Sequence, residues 1–236
     1  MVKCSSSLKP DPLRLLQDQI EGCTACPRLV SWREQVARDK RASFRDDSYW
    51  GRPVSGFGDP AAQVLVLGLA PAAHGANRTG RVFTGDRSGD WLYRAMHKAG
   101  FANQPTSTDR NDGLALNNAW VTAAVRCAPP DNKPLPEERD ACRHFIQQEI
   151  ALLRNVVVVV ALGKFAYDIA MKEFAVAVKP KFGHQVETTG TGTQQRAITV
   201  VCSFHPSQQN TFTGKLTEPM FDAVFDRARL LIKSVQ

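Results

Sequence analysis

The chain has 236 residues, 43% of them hydrophobic and 22% charged, a globular composition that excludes a disordered or collagen-like chain. Its 30 Lys and Arg against 23 Asp and Glu leave a formal net charge of +7 at pH 7, which favours a polyanionic partner, nucleic acid first. No apolar run approaches the ~20 residues of a membrane span, and no apolar stretch follows Met1–Ser5, so the expectation is a cytoplasmic protein without a signal peptide.

Residues 1–10 are polar and expected to be loose, at the start of one domain covering 1–236. Leu13, Leu15, Leu16 and Ile20 recur at helical spacing and predict a helix over 11–21. Leu29, Val30, Trp32 and Val36 predict another over 27–39, with Pro27 suited to its first turn. Cys23-x-x-Cys26 separates the two, and a polar, aromatic loop runs from 44 to 59. Gln63–Gly68 reads as a strand buried on both faces. A long loop rich in Gly, Asn and Arg follows to Asp86, then a helix over 88–100. Strands at 120–125, 156–162 and 198–203 alternate with helices at 134–155, 165–174 and 219–234. That alternation predicts crossover units on a parallel sheet. Three strands end in distinctive loops, at Gly68–Pro71, Arg126–Pro130 and Phe204–Ser207. Ligands of open α/β sheets bind beyond such carboxyl ends, so these motifs are expected to converge on one edge.

Six cysteines in a reducing compartment point to metal or catalysis rather than disulfides. Cys202 lies in an apolar strand and reads as core, and Cys4 is near the terminus. Cys23, Cys26, Cys127 and Cys142 form two pairs that suit tetrahedral zinc or a cubane iron–sulfur cluster, with a structural role preferred over a redox one. The plainer alternative is an incidental Cys-x-x-Cys with two core thiols.

The loop 68–81 is built of small residues that let backbone amides approach a flat ligand, and it lacks the P-loop pattern. Phe83 reads equally as a base-stacking ring or a core plug. Asp86 stands where a helix N-cap is expected and also has the chemistry to polarise water. His205, at the carboxyl end of the last strand, is the candidate imidazole.

Gly68-Leu69-Ala70-Pro71-Ala72-Ala73-His74-Gly75, Asn77–Arg81, Phe83–Asp86, Val125–Pro130 and His205-Pro206-Ser207 together resemble the uracil-DNA glycosylase superfamily, and within it the family 5 enzymes. The resemblance implies an α/β fold, a three-layer α/β/α sandwich with a four-stranded parallel sheet. It also implies a [4Fe–4S] cluster on Cys23, Cys26, Cys127 and Cys142. The implied reaction excises uracil and other deaminated bases, such as hypoxanthine, from DNA, leaving an abasic site and initiating base excision repair.

The superfamily's usual acidic or amide residue in the first motif falls at Ala70, so Asp86 and Asn132 become the candidates to activate water. An Asn that reads the uracil edge in family 4 falls at Ala123, which implies looser base discrimination. Leu69, Ala70, His74 and Phe83 are the candidate base-binding residues, and His205 with nearby amides would stabilise the departing base anion. Arg78, Arg81, Lys164 and Lys215 are candidate phosphate contacts, and 208–213, with Gln208 and Asn210, a candidate wedge. A monomer acting at the nucleoid is expected. An iron–sulfur electron-transfer protein and a non-catalytic DNA-binding module are the other classes these features allow.

Overall fold

The fold is described by a computed structural model over residues 11–234. The expectations for residues 1–10, Cys4 included, lie outside the described residues. α1 (Pro12–Glu21) is capped by the Asp11 side chain accepting from the Leu13 amide, and α2 (Pro27–Asp39) opens on Pro27. The short strand β1 (Phe57–Gly58) precedes β2 (Val64–Gly68), and α3 (Ala76–Thr79) and α4 (Arg87–Lys98) follow. Then come β3 (Ala119–Ala123), α5 (Pro136–Leu152), β4 (Val158–Leu162), α6 (Gly163–Glu173), β5 (Glu187–Thr191) and β6 (Ala197–Ser203). α7 (Gln208–Phe212) and α8 (Glu218–Lys233) close the chain.

The strands form one sheet in the order β1-β3-β2-β4-β6-β5. β3, β2, β4 and β6 are mutually parallel, with Gly68 beside Ala123 and Leu162 beside Ser203, so their carboxyl ends share one edge. The expected four-stranded sheet is therefore the centre of a six-stranded one, because β1 and β5 add antiparallel edges. Their sequences explain the omission. β1 is two residues long, and β5 reads Glu-Thr-Thr-Gly-Thr, with only Gly190 buried.

Alternate residues of the central strands feed two cores. Val64, Val66, Val121 and Val160 pack under α4 and α8 with Leu92, Met96, Phe221 and Phe225. Leu65, Leu67, Val159 and Val200 pack on the other face with Ile146, Tyr167, Ile169 and Met171 of α5 and α6. This is the three-layer α/β/α arrangement, its middle strands apolar on both faces. One ion pair crosses the second core. Arg126 and Glu149, each 1% exposed by side chain, meet at 2.6 Å, and Thr122 donates to the same carboxylate at 2.7 Å. No helix among the described residues is long and apolar enough to cross a membrane.

Candidate functional site

The glycine-rich loop leaves the sheet at Gly68 and folds back under its own side chains. A Cβ at Gly68 would meet the Phe83 ring at 2.6 Å, and one at Gly75 would meet Asp86 Oδ2 at 2.0 Å. These two glycines are dictated by close approach, since neither has a positive φ. Phe83 itself adopts φ 51°, a strained conformation for a non-glycine residue, and is 9% exposed. Its ring belongs to the core beneath α4, with an edge at the site. Asp86 is the N-cap of α4, accepting from the Gly89 amide at 3.1 Å, and burial pushes its carboxyl above the usual range.

Two expected phosphate contacts are instead braces of this loop. Arg81 is 4% exposed and binds Asp112 through Nη1 and Nη2 at 2.8 and 2.7 Å, with Thr84 and Ser107 completing its hydrogen bonds. Arg78 donates to the carbonyls of His74 and Gly85, each at 2.9 Å, and to Asp47 at 2.7 Å. A loop of small residues has little side-chain packing of its own, and these guanidinium forks supply its rigidity.

His205 reaches the same edge from β6. Gly163 at the end of β4, with φ 88°, lets it approach, since a Cβ there would lie 3.1 Å from the His205 Cβ. The Asn210 side chain donates to the His205 carbonyl at 2.9 Å and so shapes this turn. The imidazole and the Phe83 ring have centroids 6.0 Å apart. Burial holds the imidazole pKa down at about 4, so it is neutral at pH 7. Among the described residues no group bonds either ring nitrogen, and the Leu69 and Ala70 amides donate to no acceptor. His205, Phe83, Asp86 and the Gly68–Ala70 backbone thus gather at one end of the sheet.

The other candidates are distributed around this centre. His74 Nδ1 is 3.1 Å from the Tyr49 hydroxyl, and burial, then Arg41 and Arg78, lower its pKa. Asn132 is exposed in a turn after β3 with φ 55°, and no hydrogen bond joins it to His205 or Asp86. Lys164 and Gln208 are exposed, Lys164 pairing with Asp168, and Lys215 lies 4.9 Å over the Phe204 ring. Phe212, not singled out in the sequence, is 68% exposed on α7 with the Arg87 guanidinium 4.5 Å from its ring centre.

Cys23, Cys26, Cys127 and Cys142 line one cavity, walled by Leu29, Val125, Phe145 and Pro53. Among the described residues no three His, Cys, Asp or Glu are placed to hold a single metal ion. Burial raises the free thiols of Cys127 and Cys142 to about 12 and about 11. Cys202 is buried inside β6, as its apolar neighbours predict. Sequence reasoning missed Arg33, whose Nη1 donates to Cys127 Sγ at 2.9 Å. Its signal was positional, because Arg33 interrupts the buried stripe Leu29–Val36 of α2.

The sequence pattern of the "Uracil DNA glycosylase superfamily" matches residues 55–229. The chain is 52% identical over 216 residues to the type-5 uracil-DNA glycosylase of Mycobacterium tuberculosis (strain CDC 1551 / Oshkosh), covering 90% of this chain and 79% of that protein. It is 47% identical over 213 residues to the type-5 enzyme of Thermus thermophilus, covering 90% of this chain and 94% of that one. Against the type-5 enzyme of Pyrobaculum aerophilum it is 42% identical, covering 89% of each.

Proposed function

The chain belongs to the uracil-DNA glycosylase superfamily, in its type-5 family, and from that premise we propose how its residues release a base from DNA. It is a hydrolase of N-glycosyl bonds, acting on uracil in DNA. The observation that carries the mechanism is the buried, neutral His205 imidazole 6.0 Å from the Phe83 ring at the end of the sheet where the Leu69 and Ala70 amides donate to no acceptor.

The target nucleotide leaves the duplex at a cost of about a few kcal/mol, least at a mispair. As the glycosidic bond breaks, negative charge gathers on the base and positive charge on the sugar. His205, as a neutral donor, and the Leu69 and Ala70 amides stabilise the base anion in the manner of an oxyanion hole. Asp86, fixed by its cap bond to Gly89, presents a carboxylate that favours the sugar cation and orients water. The edge of Phe83 bounds the base on the sheet side. Phe212, with Gln208 exposed beside it on α7, is the candidate to fill the vacated stack. Water adds to the sugar cation at C1′ and its released proton neutralises the base anion, so the products are free base and an abasic site, the starting point of base excision repair. Hypoxanthine and other deaminated bases are proposed as further substrates, because Ala123 leaves no side-chain amide to read the uracil edge.

The cysteine set fits a [4Fe–4S] cluster. Four thiols line one apolar cavity, the soft donor set that a cubane cluster takes. Held by Cys23, Cys26, Cys127 and Cys142, such a cluster would tie the start of α2 to the loop after β3 and to α5. The decisive assay incubates uracil-containing duplex DNA with the protein and probes for alkali-labile sites on a gel. Strand breaks at uracil are expected from the native chain and far more slowly from His205→Ala, which should still bind the DNA. Excision by the alanine variant at the native rate would reject the mechanism.

A further inference from the structure

Arg33 is 3% exposed on the inner face of α2. Besides its bond to Cys127 Sγ, Nη1 and Nη2 each reach the Cys23 carbonyl at 3.3 Å, and Nε has no partner. No carboxylate among the described residues forms an ion pair with it. Asp18 and Glu21 line the adjoining surface cleft, but they pair with Arg14 and Arg52. The other buried guanidiniums, Arg81 and Arg126, are neutralised by Asp112 and Glu149. A buried cation without a counter-charge is costly, and a neutral thiol is too weak an acceptor to offset that cost.

The missing counter-charge is on the sulfur side. Cys142 Sγ likewise accepts from a backbone amide, that of Arg126, at 3.3 Å. We infer that Arg33 is the counter-charge of the anionic sulfur centre held by Cys23, Cys26, Cys127 and Cys142, and that it sets that centre's lifetime and reduction potential. This rests on the cluster reading given above. Arg33 is held in place from the active-site side as well, because Asn77 of the glycine-rich loop donates to its carbonyl at 3.2 Å. Arg33 is therefore a positioning residue that bridges the cysteine cavity and the base-binding loop.

Hydrogen bonds to the sulfurs and local net charge both tune iron–sulfur centres. Removing the guanidinium should make reduction harder and sulfur–iron exchange easier. The test compares the full chain with Arg33→Met and Arg33→Gln, all purified without oxygen. Iron and sulfide content, the half-life of the visible absorbance in air, and the midpoint potential are read. The native protein should carry about four irons. Either variant should bleach about tenfold faster, the lower end of what losing a metal ligand's outer partner costs, with a more negative potential. Should the methionine variant fail to fold, the glutamine variant, neutral but still a donor, decides. A native half-life and potential in a folded variant would overturn the inference. Native protein without iron would instead overturn the cluster reading itself, so the two failures are distinguishable.

Discussion

His205 carries two separable predictions. Its pKa of about 4 lies below the ordinary 6.5, because burial penalises the charged ring. As pH falls below 6.5 the unfolded chain takes up this proton first. The stability that neutral His205 contributes is therefore complete above pH 6.5 and lost as pH falls towards about 4. Single-turnover excision should likewise show no inflection near pH 6.5 that depends on His205; an inflection that disappears in His205→Ala would contradict the neutral donor. The alanine variant itself should excise about 10²–10³-fold more slowly, the typical cost of one lost anion-stabilising donor. Asp86 has two roles, and two substitutions divide them. Asn caps a helix as well as Asp does, whereas Ala costs about 1 kcal/mol at an N-cap. Asp86→Asn should thus keep the native melting temperature while slowing excision, and Asp86→Ala should lose both. Native excision in the Asn variant would leave Asp86 with the cap alone.

Among the elements, the glycine-rich loop depends on contacts that no single residue reveals. Gly68 ends β2 against the Phe83 ring, and Gly75 faces the Asp86 carboxylate. Gly68→Ala should push Phe83 away from His205 and destabilise the chain by about 1–3 kcal/mol, the usual cost of overpacking. Calorimetry and excision kinetics together check it; a native melting temperature would mean that the ring has room to yield. The central strands and their order of appearance were readable because runs such as Val64–Gly68 and Val158–Leu162 are apolar throughout, which only strands buried on both faces require. Their edge partners were not, because β1 is too short and β5 too polar for a periodic signal. The strand-end residues His205 and Asp86 were readable for a similar reason, standing where a strand stops and a helix starts. Arg78 and Arg81 misled because sequence gives an arginine's charge but not its neighbours. Asp47 and Asp112 are each 31 positions away from the guanidinium they neutralise. Arg33 and Arg126 stayed hidden for the same cause, their partners lying on other elements.

The whole molecule carries a net charge of +7, and the internal pairing of Arg78, Arg81 and Arg126 changes which cations remain to meet DNA. With those three guanidiniums committed to internal carboxylates, the exposed residues around the carboxyl edge of the sheet become the candidate phosphate contacts. Lys164 at the start of α6 and Lys215 after α7 are exposed there, on the elements that flank His205. Each phosphate neutralised on duplex DNA contributes a slope of about −0.9 to the logarithmic salt dependence of binding. Lys164→Ala combined with Lys215→Ala should flatten that slope by about 1.8 units if both meet phosphates, while leaving preference for uracil unchanged. Arg81→Ala should behave differently, lowering thermal stability by leaving the largely buried Asp112 carboxylate unpaired, and leaving the slope of the folded fraction as it was. Fluorescence titrations of a uracil-containing duplex from low to physiological salt separate the two. A slope unaffected by the lysine pair would place the DNA on another face of the molecule and detach it from the site built around His205, whereas a slope reduced by Arg81→Ala would return Arg81 to the phosphate contacts.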